Sequence, residues 1–253
     1  RRADLFDLWQ VLVSAGLAMA NFLYGLFVLP ESLPPEKRRA FEWRRANPVG
    51  ALMRLKSAHP VVLMLAATVF VWTLSYQSLY SIWSYHGQLR YGWTPEQVGW
   101  SLAAVGVTGA IVQGFLGRKL IPRFGQRRII VVGLISAVAG YSTYAMADAG
   151  WMVYLGIAVS ACQGLVFPCL QGLMSAEVAP NEQGELQGAV ASIQSLSAIV
   201  GPPLMTTVFA RFSVADAPIY APGAPFVVSL VFVGITALIF FRAHAGRRVV
   251  AAE

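Results

Sequence analysis

Seven neutral polar side chains stand inside long apolar stretches of this sequence: Tyr76, Gln77 and Tyr80 in one, Gln113 in the next, Gln163 and Gln171 in a third, and Gln194 in a fourth. Phenols and carboxamides among apolar walls suit a pocket for an amphipathic organic molecule, because they supply hydrogen bonds without burying a charge. The same groups would also bond one helix to another, each contributing about 0.6 kcal/mol in a membrane. Taken singly, each glutamine fits either role. The grouping of Tyr76, Gln77 and Tyr80 on one stretch favours a cavity.

Other chemistries find less support. There is no nucleophile elbow, no His and acid pair at metal spacing and no phosphate-binding loop, so the sequence reads as a non-enzyme that calls for no metal and no cofactor. Cys162 and Cys169 lie on one apolar run, seven residues apart, and read as small packing residues. His59, His86 and His244 fall at the ends of apolar runs or in loops and read as solvated. All twelve acids lie in loops, termini or the ends of spans. Proton-coupled pumps usually need an ionisable group within the membrane. If protons are the coupling ion, the coupling carboxylate is expected on a stretch of chain outside these 253 residues.

The elements that position these residues are membrane spans. Of the 253 residues 57% are hydrophobic and 12% charged, about half the charge of an ordinary soluble domain. Apolar runs of about 20 residues, enough to cross a core of roughly 30 Å, are expected over residues 8–29, 61–82, 98–116, 129–147, 151–174, 186–209 and 225–241. The expected fold is an all-α integral membrane protein of about seven transmembrane helices. The net charge of +7 sits at span ends, where topology and lipid headgroups account for it, so no nucleic-acid partner is called for.

The strongest topological signal is Gly117 to Arg128, where Arg118, Lys119, Arg123, Arg127 and Arg128 gather with no acid among them. Short cationic loops stay cytoplasmic, and Pro122 and Gly125 are expected to stop the helix inside this one. The cations of residues 30–57 (Lys37, Arg38, Arg39, Arg44, Arg45, Arg54 and Lys56) and Arg242, Arg247 and Arg248 give the same sidedness, placing the first residue outside. A surface helix near 37–46 or a solvated linker would both fit the first of these segments. On the outer side, Trp83 to Gln97 reads as a loop with interfacial tryptophans. Its tail, Thr94-Pro95-Glu96-Gln97, has the form of a capping box. The span at 129–147 reads as pure scaffold. Pro168 is expected to kink its helix near mid-membrane, and Gly201-Pro202-Pro203 to bend the next.

Several of these runs resemble a known family. Pro30-Glu31-Ser32-Leu33 followed by a basic linker resembles the end of the sixth helix of major facilitator transporters. The run Gly117 to Arg128 resembles the degenerate second copy of their basic loop signature, between helices eight and nine. Phe167 to Ser175, Asn181 to Gly188, and Gly201-Pro202-Pro203 are similar to helices ten and eleven of the tetracycline-resistance drug:proton antiporters. Pro122 stands where the signature often has Asp, and Gly109 and Ala137 stand where those pumps carry a His and an acid, so tetracycline itself is not implied.

The resemblance implies a C-terminal half. Residues 1–29 would be the last helix of the N-terminal half, 30–59 a cytoplasmic linker, and 60–253 a six-helix bundle. The expected function is efflux of a small organic substrate, with protons as coupling ion and the lipid bilayer and a missing N-terminal half as partners. The location would be a bacterial inner membrane. Glu177, Glu182 or Glu185 is expected to pair with Arg123, Arg127 or Arg128 as a gating latch, with Arg118 and the Gly125 turn as parts of it. A seven-span sensor or an inactive truncated fragment are the alternatives.

Overall fold

The N-terminal helix α1, Arg2–Phe27, forms its own unit within Arg1–Phe41, while a second unit spans Glu42–Glu253. The structure, a computed structural model, describes the backbone of residues 2–28, 60–214 and 217–250, and side chains within these except near their ends. The linker and the surface helix expected near 37–46 lie outside the described residues.

In the second unit, α2 runs Pro60–Tyr91, opened by a proline where the missing amide donor costs nothing. Its 32 residues span about 48 Å, well beyond the hydrocarbon core. The expected outer loop from Trp83 is therefore helical to Tyr91, because a span long enough to leave the membrane keeps its helix in the interface. Gly92, at φ +64°, ends it, with the amides of Gly92 and Trp93 turning back to the carbonyls of Gln88 and Gly87. The capping box follows as expected. The Thr94 hydroxyl accepts from the Gln97 amide (3.3 Å), and the Thr94 amide donates to Gln97 Oε1 (2.9 Å), opening α3, Pro95–Ile111.

Helix α3 continues through one π turn, Val112–Leu116, into α4, Gly117–Phe124. The basic segment is thus helical through Pro122, contrary to expectation. The break falls at Gly125, whose φ of +81° is a conformation glycine reaches without strain. Helix α5 follows over Gln126–Met146. Helix α6, Gly150–Val159, passes through a 3₁₀ turn, Ala161–Leu165, into α7, Val166–Ser175, and the pair bends by 43°. The bend falls at Ser160, between the two helical stretches, and not at Pro168 as expected, which sits in the first turn of α7 where its missing amide is tolerated. Helix α8, Gln183–Ser213, runs as a single helix through Pro202 and Pro203, and α9 spans Ala224–Val250.

Five helices are long and apolar enough to cross a membrane, six with the bent α6–α7 pair. The described apolar part of α1, Leu12–Phe27, is a shorter apolar stretch of a 26-residue helix, so up to six spans stand among the described residues beside it.

Helix α2 is the inner member of the bundle, packed against α7, α8 and α9, while α5 packs on α6, α7 and α9. Four hydrogen bonds tie α2 to four different helices: Ser229 Oγ to Ser78 Oγ (2.7 Å), Thr73 with Ser197 (2.7 Å), Tyr141 Oη to the Ser75 carbonyl (3.0 Å), and Trp83 Nε1 to Ser101 Oγ (2.9 Å). Short hydroxyls let helices approach and satisfy one another where no water is available. By contrast, 17% of the most apolar window of α3 is buried, against 56% for α2. Helix α3 thus leaves most of its apolar surface uncovered by the other described residues.

Candidate binding site

Residues four apart on a helix share a face, so Trp72, Tyr76 and Tyr80 form one aromatic stripe along α2. Their rings are stepped, with Trp72 and Tyr76 edge-on at 5.4 Å between centroids and Tyr76 and Tyr80 at 6.1 Å. Thr73 and Gln77 line the adjacent stripe. Across from them, the π turn carries Gln113 and the 3₁₀ turn carries Gln163. Two departures from α-helical geometry thus bring two carboxamides to the same place.

These side chains enclose two chambers. The larger, about 440 Å³, has Tyr80, Trp83, Tyr144 and Ser160 among its walls. The smaller, about 280 Å³, has Trp72, Gln77, Phe167 and Gln194. Tyr76, Tyr80, Gln113, Gln163 and Gly164 border both, so the chambers are neighbours with one shared partition. No lining residue carries a charge.

The hydrogen bonding of the glutamines divides sharply. Gln77, Gln113, Gln163 and Gln194 all face the smaller chamber, and none has a hydrogen-bond partner among the described residues. Gln77 is 9% exposed and Gln163 7%, and the Gln163 amide oxygen is fully enclosed without a partner. Away from the chambers the amides are satisfied. Gln171 donates to Gln187 Oε1 (2.6 Å) and Gln183 to the Ser175 carbonyl (2.8 Å). Six of the seven expected binding residues therefore converge, while Gln171 bonds α7 to α8 instead.

Tyr144 is a residue that sequence reasoning missed. Its hydroxyl pairs with Ser160 Oγ (3.0 Å), and its ring stands edge-on to Trp83 at 5.3 Å, so α5 contributes a wall and is not scaffold alone. Its place within an apolar run gives a signal only by analogy with Tyr76. His86, expected to be solvated, is buried among the rings of Tyr91, Phe209 and Phe226. Among the described residues no cluster of three or more His, Cys, Asp or Glu could hold a metal.

The expected gating residues occupy one end of the bundle. Arg118 and Arg123 lie on α4, Gly125 at the break, and Arg127 and Arg128 open α5. Arg123 sits over the Phe124 ring at 5.4 Å. Glu177 follows α7, Glu182 accepts from the Ala179 amide (3.3 Å), and Glu185 is in the first turn of α8. The two segments approach through Gln126, which packs onto the backbone of Gly172.

The family model of the Major Facilitator Superfamily matches residues 4–202 and 88–252. This chain belongs to that superfamily. It is 33% identical to the tetracycline resistance protein, class C, of Escherichia coli over 199 residues, 79% of this chain and 50% of that one. It is 37% identical to the class G protein of Vibrio anguillarum over 62% of this chain and 40% of that one. The human hippocampus abundant transcript 1 protein is 27% identical over 82% of this chain and 43% of its own length. The chain spans about half the length of the curated relatives it matches. In fold it is similar to the human organic anion transporter MFSD10 (TETRAN), with a TM-score of 0.73 at 22% identity over 89% of this chain and 55% of that one. This major facilitator chain is accordingly a multi-pass membrane protein.

Proposed function

We propose that this chain is the C-terminal half of a secondary active transporter that exports a small organic compound, by proton antiport when joined to an N-terminal half. The observation that carries the reading is the pair of uncharged chambers, walled by phenols, indoles and unpartnered carboxamides, in a major facilitator fold. Alternating access in such folds is rocking of one bundle against another around a midplane site, and the uncovered apolar surface of α3 is where part of a second bundle would lie.

The sequence places every acid of this chain in loops, termini or span ends, so the coupling carboxylate belongs to the other half. The location proposed is a bacterial inner membrane, as suits relatives from Escherichia coli and Vibrio anguillarum. The gating latch between Arg123, Arg127 or Arg128 and Glu177, Glu182 or Glu185 belongs to the same reading, supported by the packing of Gln126 on Gly172.

The test is efflux of a panel of fluorescent drugs under an imposed pH gradient, in cells expressing this chain alone and joined to its upstream coding region. Gradient-dependent loss of dye in the joined form alone supports the proposal. Efflux by the 253-residue chain alone, at the same rate, overturns the half-transporter reading.

A further inference from the structure

The two chambers differ in what they ask of an occupant. The larger is bounded mainly by aromatic and aliphatic groups, with Tyr80, Trp83 and Tyr144 among them, and shares Gln113 and Gln163 with the smaller. The smaller holds four carboxamides contributed by four different segments: Gln77 from α2, Gln113 from the π turn, Gln163 from the 3₁₀ turn and Gln194 from α8. A primary carboxamide both donates and accepts. Four of them with no protein partner among the described residues form a field of donors and acceptors with no net charge. Gln77 and Gln163 are buried while Gln113 and Gln194 are exposed, so the cost of leaving an amide unpaired, on the order of 1 to 3 kcal/mol, falls on the two buried ones, and an occupant of matching chemistry would bridge them to the exposed pair.

The hydroxyl is the group that matches this field, since it too donates and accepts. A ring carrying several adjacent hydroxyls satisfies several amides at once, whereas a carboxylate or ammonium entering an uncharged wall loses its hydration without a counter-charge. The flanking rings of Trp72 and Phe167 offer apolar faces on which the carbon side of such a ring would rest. Because Tyr76, Gln163 and Gly164 border both chambers, the two lie side by side, and a molecule that displaces a side chain of their shared partition would occupy both.

Resting on the proposed transporter reading, and naming its substrate class, we propose that this site takes an uncharged, hydroxyl-rich head, such as a sugar, in the amide chamber, linked to a flat ring system in the aromatic chamber. The occupant is then an aryl glycoside or a compound of that form.

Fluorescence titration of the purified chain in lipid nanodiscs tests this with three probes: methylumbelliferyl glucoside, the corresponding glucuronide, and methylumbelliferyl methyl ether. The glucoside is expected to bind roughly tenfold more tightly than the ether, as one or two net hydrogen bonds provide, and the glucuronide no better than the ether. Gln194→Leu, at an exposed position that borders the smaller chamber alone, should lower glucoside affinity severalfold more than ether affinity. Gln77→Leu is expected to do the same, with helical content measured alongside for this more buried site.

Equal affinity for glucoside and ether, unchanged by Gln194→Leu, overturns the inference about the amide chamber and leaves the cavity reading standing. Tighter binding of the glucuronide also overturns it, in favour of an anionic head. Failure of all three probes to bind a fully helical chain overturns the cavity reading itself.

Discussion

The side chain of Gln77 lies directly on Gly201, so close that a Cβ at Gly201 would fall among the methylenes of Gln77. One glycine of α8 therefore fixes where a carboxamide of α2 points. Gly201→Ala is expected to push Gln77 off its position and to lower both transport by the joined protein and glucoside binding by this chain. Because Gly201 is buried, a loss of about 1 to 3 kcal/mol from overpacking should accompany it, read as a lower unfolding temperature in detergent.

The 3₁₀ turn Ala161–Leu165, which follows the bend at Ser160, sets the second carboxamide. Pro168→Ala restores an amide that can bond the Gly164 carbonyl and so favours α-helical over 3₁₀ geometry at the C-terminal end of Ala161–Leu165, which would turn Gln163 away from both chambers. The expected result separates stability from function, with thermal unfolding unchanged or higher while ligand binding falls. Equal loss of both would show that the bend serves packing alone.

The hydroxyl pair of α2 and α9 allows a graded test of packing. Ser229→Ala removes the bond to Ser78 and is expected to cost about 0.6 kcal/mol, since Ser78 keeps its bond to the Ser75 carbonyl. Ser78→Leu places a large side chain at a fully buried helix contact and should cost several times more, of order 1 to 3 kcal/mol. Denaturation in mixed micelles would read both.

Charges divide into those expected to matter and those that are not. Arg90 pairs with Asp148 across the outer turn, but Asp148 is largely exposed, so Asp148→Asn should change stability by about 0 to 1 kcal/mol and leave transport intact. Arg127→Glu, at the start of α5, is instead expected to reduce transport by the joined protein at least severalfold. Transport at the wild-type rate would remove the latch from the mechanism.

What is legible in the sequence is what depends on near neighbours. The Thr94 capping box and the helix break at Gly125 are set by residues within a few positions, and the structure has both. Hydropathy locates the spans of the second unit but not their ends. Helix α2 runs nine residues beyond Ile82 because Trp83, His86 and Tyr91 find partners on other helices, which no window average contains. The pooling of Gln77, Gln113, Gln163 and Gln194 likewise depends on tertiary packing, and the π turn that carries Gln113 has no local residue to announce it. Tyr144 escapes notice for the same reason, since its run is otherwise small and apolar. Gln171, chemically identical to the others, lies where Gln187 can reach it, and only the fold distinguishes the two cases.

The π turn at Val112–Leu116 has a consequence for how this span can vary. A wider turn shifts the phase of the helix, so the face that α3 gives to the chambers and the face that α4 gives to the basic segment are set separately along one continuous rod. Removing one residue from Val112–Leu116 would re-phase everything after it by about 100°, swinging Arg118 and Arg123 around the axis while Gly106 and Gly109 stayed where they are. The lining of the chambers and the direction in which the cations point are thus free to drift independently, joined only by the length of a single turn.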